Sequence, residues 1–279
     1  MKIFISGPPA SGKTYYASEL AKYYNIPRVH VRQLVEEVMR RAAIDEEAAG
    51  EDKLTNDCRT KIEEIKIAME EEINEVRANQ EEPEDGWPEI VIEDSQIRVS
   101  NDLLEEVLKL KLGENDCRNR GYILDGFPRT HKGAQNVFMK KVIQYDEDGL
   151  PIEEDEEELP EGEEPSFDKH IKDVSIFPGS IVVLEGQDEE LISRVRELPE
   201  DQIVGTKYNM VDMRRRIKAY RLANNSEVAE PSVQDFFKQQ GIKFYSESIK
   251  TILKDALNGF KIYIERVSTE IFNLTISSL

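Results

Sequence analysis

Cysteine is scarce: Cys58 and Cys117 are the only two in 279 residues. That excludes a disulfide framework, and their separation has no metal-ligand spacing, so two free thiols in a reducing compartment are expected. Histidine is as rare. His30, His131 and His170 are scattered along the chain, which leaves no basis for a histidine-built metal or catalytic centre. No apolar run reaches the 18 residues a membrane-crossing helix needs. The one early apolar stretch is too short for a secretory leader, so a cytoplasmic protein is expected. Positive charge is in deficit as well, with 37 Lys and Arg against 57 Asp and Glu and a net charge of −20. Such acidity argues against a nucleic-acid partner.

The negative charge is uneven. Residues 146–164 carry twelve Asp or Glu and no Lys or Arg, leaving −8 for the rest. A run of this composition buries no apolar area and reads as a solvated loop, or as an electrostatic dock for a basic protein.

Against these absences stands one dense motif. Residues 7–14, Gly-Pro-Pro-Ala-Ser-Gly-Lys-Thr, fit G-x-x-x-x-G-K-[ST]. The required context surrounds it: Ile3, Phe4 and Ile5 read as a buried strand, while Ala17, Leu20, Ala21 and Tyr24 recur at helical spacing over 14–24. In such a loop Gly7, Pro8, Pro9, Ala10, Ser11 and Gly12 wrap backbone N–H groups around phosphate oxygens. Lys13 adds a full positive charge and the Thr14 hydroxyl is a ligand for Mg²⁺. A nucleoside triphosphate is the ligand this predicts.

A second segment, Arg120-Gly-Tyr-Ile-Leu-Asp-Gly-Phe-Pro-Arg-Thr130, runs from a buried strand into a carboxylate, a turn and an arginine. Asp125 at the end of a parallel strand beside a phosphate loop suits the water shell of Mg²⁺, and Arg129 suits a transferring phosphoryl group. Further strands are expected at about 27–31 and 180–185, with a weaker one near 242–246. Helices are expected at 101–112 (capped by Ser100), 188–197 and 210–223. A C-terminal helix is expected to stop near Asn258-Gly259, with 260–279 ambiguous between strand and helix. Ile62, Ile65, Met69, Ile73 and Val76 alternate three and four apart, predicting an amphipathic helix over 57–77. That helix either packs its stripe or offers it to a partner.

Asp-Gly-Phe-Pro-Arg after an apolar strand resembles the signature of the adenylate kinase family of nucleoside monophosphate kinases. The long insertion, the acidic run and the Leu198-Pro199-Glu200 segment are most similar to the adenylate kinase 7 type, which is associated with cilia. The resemblance implies an α/β P-loop nucleoside-triphosphate hydrolase fold in a single domain, a parallel sheet flanked by helices. Its core would be 1–29, 100–193 and 213–279, with an enlarged monophosphate-binding insertion at 30–99, an acidic loop at 146–165 and a short lid at 194–212. It also implies Mg²⁺-ATP as donor and a nucleoside monophosphate, chiefly AMP, as acceptor. Position by position, Lys13, Arg129 and Arg216 match the catalytic cations, and Thr14 and Asp125 the metal-holding pair. Arg194 falls where the family stacks an arginine on adenine; Val99 and Gly126, with Arg129, fall on the substrate side. Of Arg214-Arg215-Arg216, not all can face one cleft, since successive helical residues diverge by about 100°.

The departures lie on the acceptor and lid sides. Where the family has Ser-Thr-Gly-Asp-x-x-Arg, this chain reads His30-Val31-Arg32-Gln33-Leu34-Val35-Glu36, so a carboxylate stands in place of a phosphate-holding arginine. Arg32 and Arg40 are the nearby candidates to replace it. Gly133 replaces an adenine-reading glutamine, with Gln135 two residues on, and Leu198 and Gly205 replace lid arginines. These losses leave two readings: a working kinase, or an ATP-binding docking protein of the cilium or axoneme. In either, the acidic run or the 57–77 helix is the expected protein contact.

Overall fold

The computed structural model describes residues 1–80, 87–141, 170–199, 209–224, 231–250 and 253–277. The acidic run 146–164 and most of the expected lid, residues 200–208, lie outside the described residues. The chain forms two compact units: Met1–Val29 with Leu112–Leu279, and His30–Lys111.

The first unit is built on a sheet of β1 (Lys2–Ser6), β2 (Arg28–His30), β3 (Tyr122–Asp125), β6 (Ser180–Glu185) and β7 (Phe244–Ser248), in the order β2-β3-β1-β6-β7. Strand β1 is central and runs parallel to β3 and β6, with Ile5 opposite Asp125 and Val182. Ile3, Phe4, Ile5, Ile123, Leu124, Val182 and Leu184 are all essentially inaccessible. Consecutive apolar residues rather than an alternation are what a parallel sheet covered on both faces requires. Helix α1 (Lys13–Tyr24) buries Tyr16, Ala17 and Leu20, and Tyr16 meets Phe260 edge-on at 5.0 Å. A small antiparallel pair, β4 (Met139–Lys141) and β5 (His170–Lys172), escaped the sequence reading. So did α6 (His131–Phe138), which Thr130 caps by accepting from Gly133 N at 3.0 Å.

The expected stop at Asn258-Gly259 is overturned, because the last helix runs unbroken over Leu253–Ser277. A Cβ at Gly259 would collide with the Tyr245 hydroxyl. This glycine therefore serves close packing of the helix on β7 rather than a turn, and the 260–277 stretch continues it as helix.

The second unit holds α2 (Val31–Ala42), α3 (Glu46–Ala49), α4 (Lys53–Ala78) and most of α5 (Asn101–Gly113). His30 caps α2 by accepting from Arg32 N. Helices α2 and α4 pack together, and Arg41 ties them by donating to Asp52 at 3.0 Å and to Thr55 at 2.9 Å. Helix α4 is longer than the 57–77 expected. Of its apolar stripe Ile62 is buried, Ile65, Met69 and Ile73 are half-buried and Val76 is exposed. Ser100 caps α5 as predicted, accepting from Leu103 N at 3.4 Å.

Candidate nucleotide-phosphate site

The carboxyl end of the central strand is where an open parallel sheet leaves a crevice, and the loop following β1 occupies it. The loop needs an unusual backbone. Gly7 has φ of 150°, and a Cβ there would lie 2.9 Å from both Cβ and O of Leu184, so only glycine lets the loop lie against β6. Ala10 also takes a positive φ, 59°. Helix α1 then starts at Gly12 with no side chain capping its first N–H groups. Those free donors and the positive end of the helix dipole form an anion site. The Ser11 hydroxyl is fully buried inside the loop with no protein hydrogen-bond partner among the described residues. A cradle of uncapped donors with an orphaned hydroxyl fits a phosphate.

Lys13 folds back over this loop, its ammonium donating to Gly7 O at 2.7 Å and Pro8 O at 2.6 Å. Its pKa is lowered to about 8, first by desolvation and further by Arg216 and Arg129, against an upward pull from Asp125. These four charged groups therefore share one electrostatic neighbourhood although they come from α1, the end of β3, the turn after it and the helix α8 (Met210–Ala223). Arg129, with much of its surface open to solvent, is held below the usual arginine value by desolvation and then by Arg216. Gly126, at φ 67°, approaches so closely that a Cβ would stand 3.1 Å from Lys13 Cε. In α8 Arg216 is half-buried, whereas Arg214 and Arg215 are exposed and Arg215 pairs with Asp212 at 2.6 Å. The helix geometry thus turns one arginine of the three toward the loop.

Asp125 is buried at the end of β3, with only 2% of its side chain exposed and Arg28 Nη1 3.9 Å from Oδ2. Thr14 is exposed in the first turn of α1. A hydroxyl and a single carboxylate suit Mg²⁺ that arrives on nucleotide phosphates and keeps much of its water. The described residues contain no cluster of three or more His, Cys, Asp or Glu able to cage a metal alone. Arg194, in α7 (Asp188–Arg196), donates to Ser11 O at 3.4 Å and to Ile249 O, which sets its guanidinium beside the phosphate loop. Gly133 is buried in the first turn of α6, with Gln135 half-buried behind it.

Val99 belongs to the other unit, half-buried in the irregular stretch before α5. In that unit Glu36 is exposed, and Arg40 is committed to Glu37 through two hydrogen bonds of 2.8 and 2.6 Å. These bonds, Arg40's first, hold the Glu37 carboxyl below its ordinary range. Arg32 is exposed. Sequence reasoning overlooked Arg28, which donates to Ser18 Oγ at 2.8 Å and to Thr14 O at 3.3 Å while facing Asp125. Its one sequence signal is a basic residue opening the strand that adjoins β3.

The profile of a family described as an AAA domain matches residues 2–99. Over 244 residues the chain is 31% identical to Adenylate kinase 7 of Macaca fascicularis, covering 86% of this chain and 39% of that protein. It is 32% identical to Adenylate kinase 7 of Mus musculus over 227 residues, 81% of this chain and 33% of that one. Over most of its length the chain is thus similar to members of the adenylate kinase family. A bacterial member of that family, the Adenylate kinase of Bartonella henselae, is 26% identical over 149 residues, 52% of this chain and 56% of its own. Against the two adenylate kinase 7 proteins, the chain spans between a third and two-fifths of their length. No helix among the described residues is long and apolar enough to cross a membrane.

Proposed function

We infer that this chain transfers the γ-phosphoryl group of Mg²⁺-ATP to a nucleoside monophosphate, with AMP as principal acceptor and ADP as product. The observation that carries the reading is the convergence of Lys13, Arg129 and Arg216 on the phosphate loop beside Asp125. Three cations held together at a partly desolvated anion site repel one another until a polyphosphate arrives. Their charge is then matched to the spread negative charge of a phosphoryl in flight. Lys13 must leave Gly7 O and Pro8 O to reach the phosphates, while the N–H groups of the loop and of α1 hold them. Bound with the nucleotide, Mg²⁺ supplies Lewis-acid neutralisation of phosphate charge, and Thr14 and Asp125 are the residues to hold it. Arg194, beside the phosphate loop, is assigned the donor base by family resemblance. The acceptor phosphate oxygen is already anionic, so no general base is needed. Residues 30–99, with Val99, are assigned the monophosphate by family resemblance.

A second reading, an ATP-binding docking protein with little turnover, is favoured by one observation. Where the family places an acceptor-side arginine, α2 has an exposed Glu36, and Arg40 is already occupied by Glu37. The cilium is the proposed location, with the acidic run or α4 as the protein contact in either case. The deciding experiment is a coupled assay of purified protein with Mg²⁺-ATP and AMP, CMP, UMP or GMP, alongside direct ATP binding. ADP formation dependent on AMP supports the kinase. Tight ATP binding without transfer to any monophosphate overturns it in favour of the docking protein.

A further inference from the structure

One guanidinium touches the surroundings of both metal-holding residues. Arg28 opens β2, the strand beside β3, and its Nη1 lies 3.3 Å from the backbone O of Thr14 and 2.8 Å from Ser18 Oγ. The same nitrogen stands 3.9 Å from Oδ2 of Asp125. Hydrogen bonds to the first turns of α1 fix the arginine, and the strand fixes its base, so it cannot swing away freely. It faces a carboxylate that is almost wholly removed from water. At that depth a carboxylate needs compensating charge at all times; Lys13 lies in its field too, but its ammonium donates to the carbonyls of Gly7 and Pro8.

We propose that Arg28 is a positioning residue that serves as the resident countercharge of Asp125, and that it sets how strongly nucleotide binding depends on divalent metal. The inference rests on Asp125 being the carboxylate that holds Mg²⁺. With Arg28 in place, a metal-free nucleotide meets a neutralised Asp125 and is tolerated. Incoming Mg²⁺ must share the carboxylate with a guanidinium, so the metal adds less affinity than it would beside a lone carboxylate. Without that charge, Asp125 repels bare polyphosphate and attracts the metal complex. The coupling between metal and nucleotide is a free energy shared by the two sites, and it is read as a ratio of affinities.

The test measures the Kd of ATP by calorimetry in EDTA and in excess Mg²⁺, and takes the ratio of the two. Arg28→Gln removes the charge and keeps a donor for Ser18 and Thr14; its ratio is expected to rise roughly fivefold, the scale of a partly exposed ion pair. Arg28→Lys keeps the charge, and its ratio is expected to stay near the parent's. An unchanged ratio in Arg28→Gln overturns the proposal, as does an equal rise in both variants, which would point to shape rather than charge. Asp125→Asn separates the two inferences. If it collapses the ratio while Arg28→Gln leaves it unmoved, Asp125 holds the metal and Arg28 has no part in it. If it too leaves the ratio unmoved, Asp125 does not hold the metal and both inferences fall.

Discussion

The two compact units handle charge in opposite ways. Around the phosphate loop, Lys13, Arg129 and Arg216 lie in one another's field with Asp125 beside Lys13, and desolvation lowers the pKa of Lys13 and of Arg129. In the 30–111 unit, two arginines of α2 are paired locally: Arg40 and Arg41 both with Glu37, and Arg41 also with Asp52. Like charges gathered where water is scarce are a frustrated arrangement, and such arrangements cluster at functional sites. Satisfied charge on a helix surface marks stabilisation of modest size. The difference supports the proposed assignment of the phosphate chemistry to the first unit, and in α2 Glu36 rather than an arginine stands at the position the family uses.

The sharpest break of that contrast is Lys13→Met. If the frustrated cluster is the transfer machinery, turnover should fall on the order of 10²-fold or more, as when one transition-state donor is removed elsewhere. A coupled assay returning near-parent rates would show that the donor phosphates lie elsewhere.

Gly7→Ala probes the backbone of the same region. The new Cβ would press on Leu184 at 2.9 Å from a positive φ, so a loss of about 1–3 kcal/mol is expected in denaturant unfolding. An equal stability would mean that the loop relaxes easily and is less constrained than the second unit's helices.

Acceptor binding sharpens the contrast from the other side. Glu36→Arg would add an arginine free of local pairing to α2, and the KM for AMP is expected to fall by about tenfold, the worth of one charge-assisted contact. The Kd for ATP should stay within about twofold. An unmoved KM would show that this face of α2 takes no part in acceptor binding.

The smallest effect concerns pH. Burial holds the free Lys13 pKa at about 8 against an ordinary 10.5. ATP affinity should therefore weaken gradually as pH rises through about 8 and the ammonium is lost. Stability moves the other way. Between about 8 and 10.5 the unfolded chain holds the proton that the folded one has released, so this group's contribution rises with pH across that window. Titrating ATP binding from pH 6.5 to 9.5 in the parent and in Lys13→Arg checks it, since the arginine should flatten the curve.

Much of this was written in the sequence because local chemistry enforced it. The stretch 7–14 can adopt its shape only with glycine at position 7, and a strand read as Ile3-Phe4-Ile5 must be covered on both sides. The same holds for the strand ending in Asp125 and for the helix carrying Arg214 to Arg216, whose angular spacing limits how many can face the loop. Other features were illegible for equally physical reasons. Asn258-Gly259 reads as a helix stop, yet Gly259 is small because Tyr245 packs against it, and that contact joins residues distant along the chain. Ile65, Met69 and Ile73 have the spacing of a buried face, but spacing does not say how far burial extends along α4. Arg28 is one basic residue among many in the sequence. Only the neighbouring of β2 with β3 puts it against Asp125, because strand order is set by how the sheet buries its apolar surface and not by any residue's own preference.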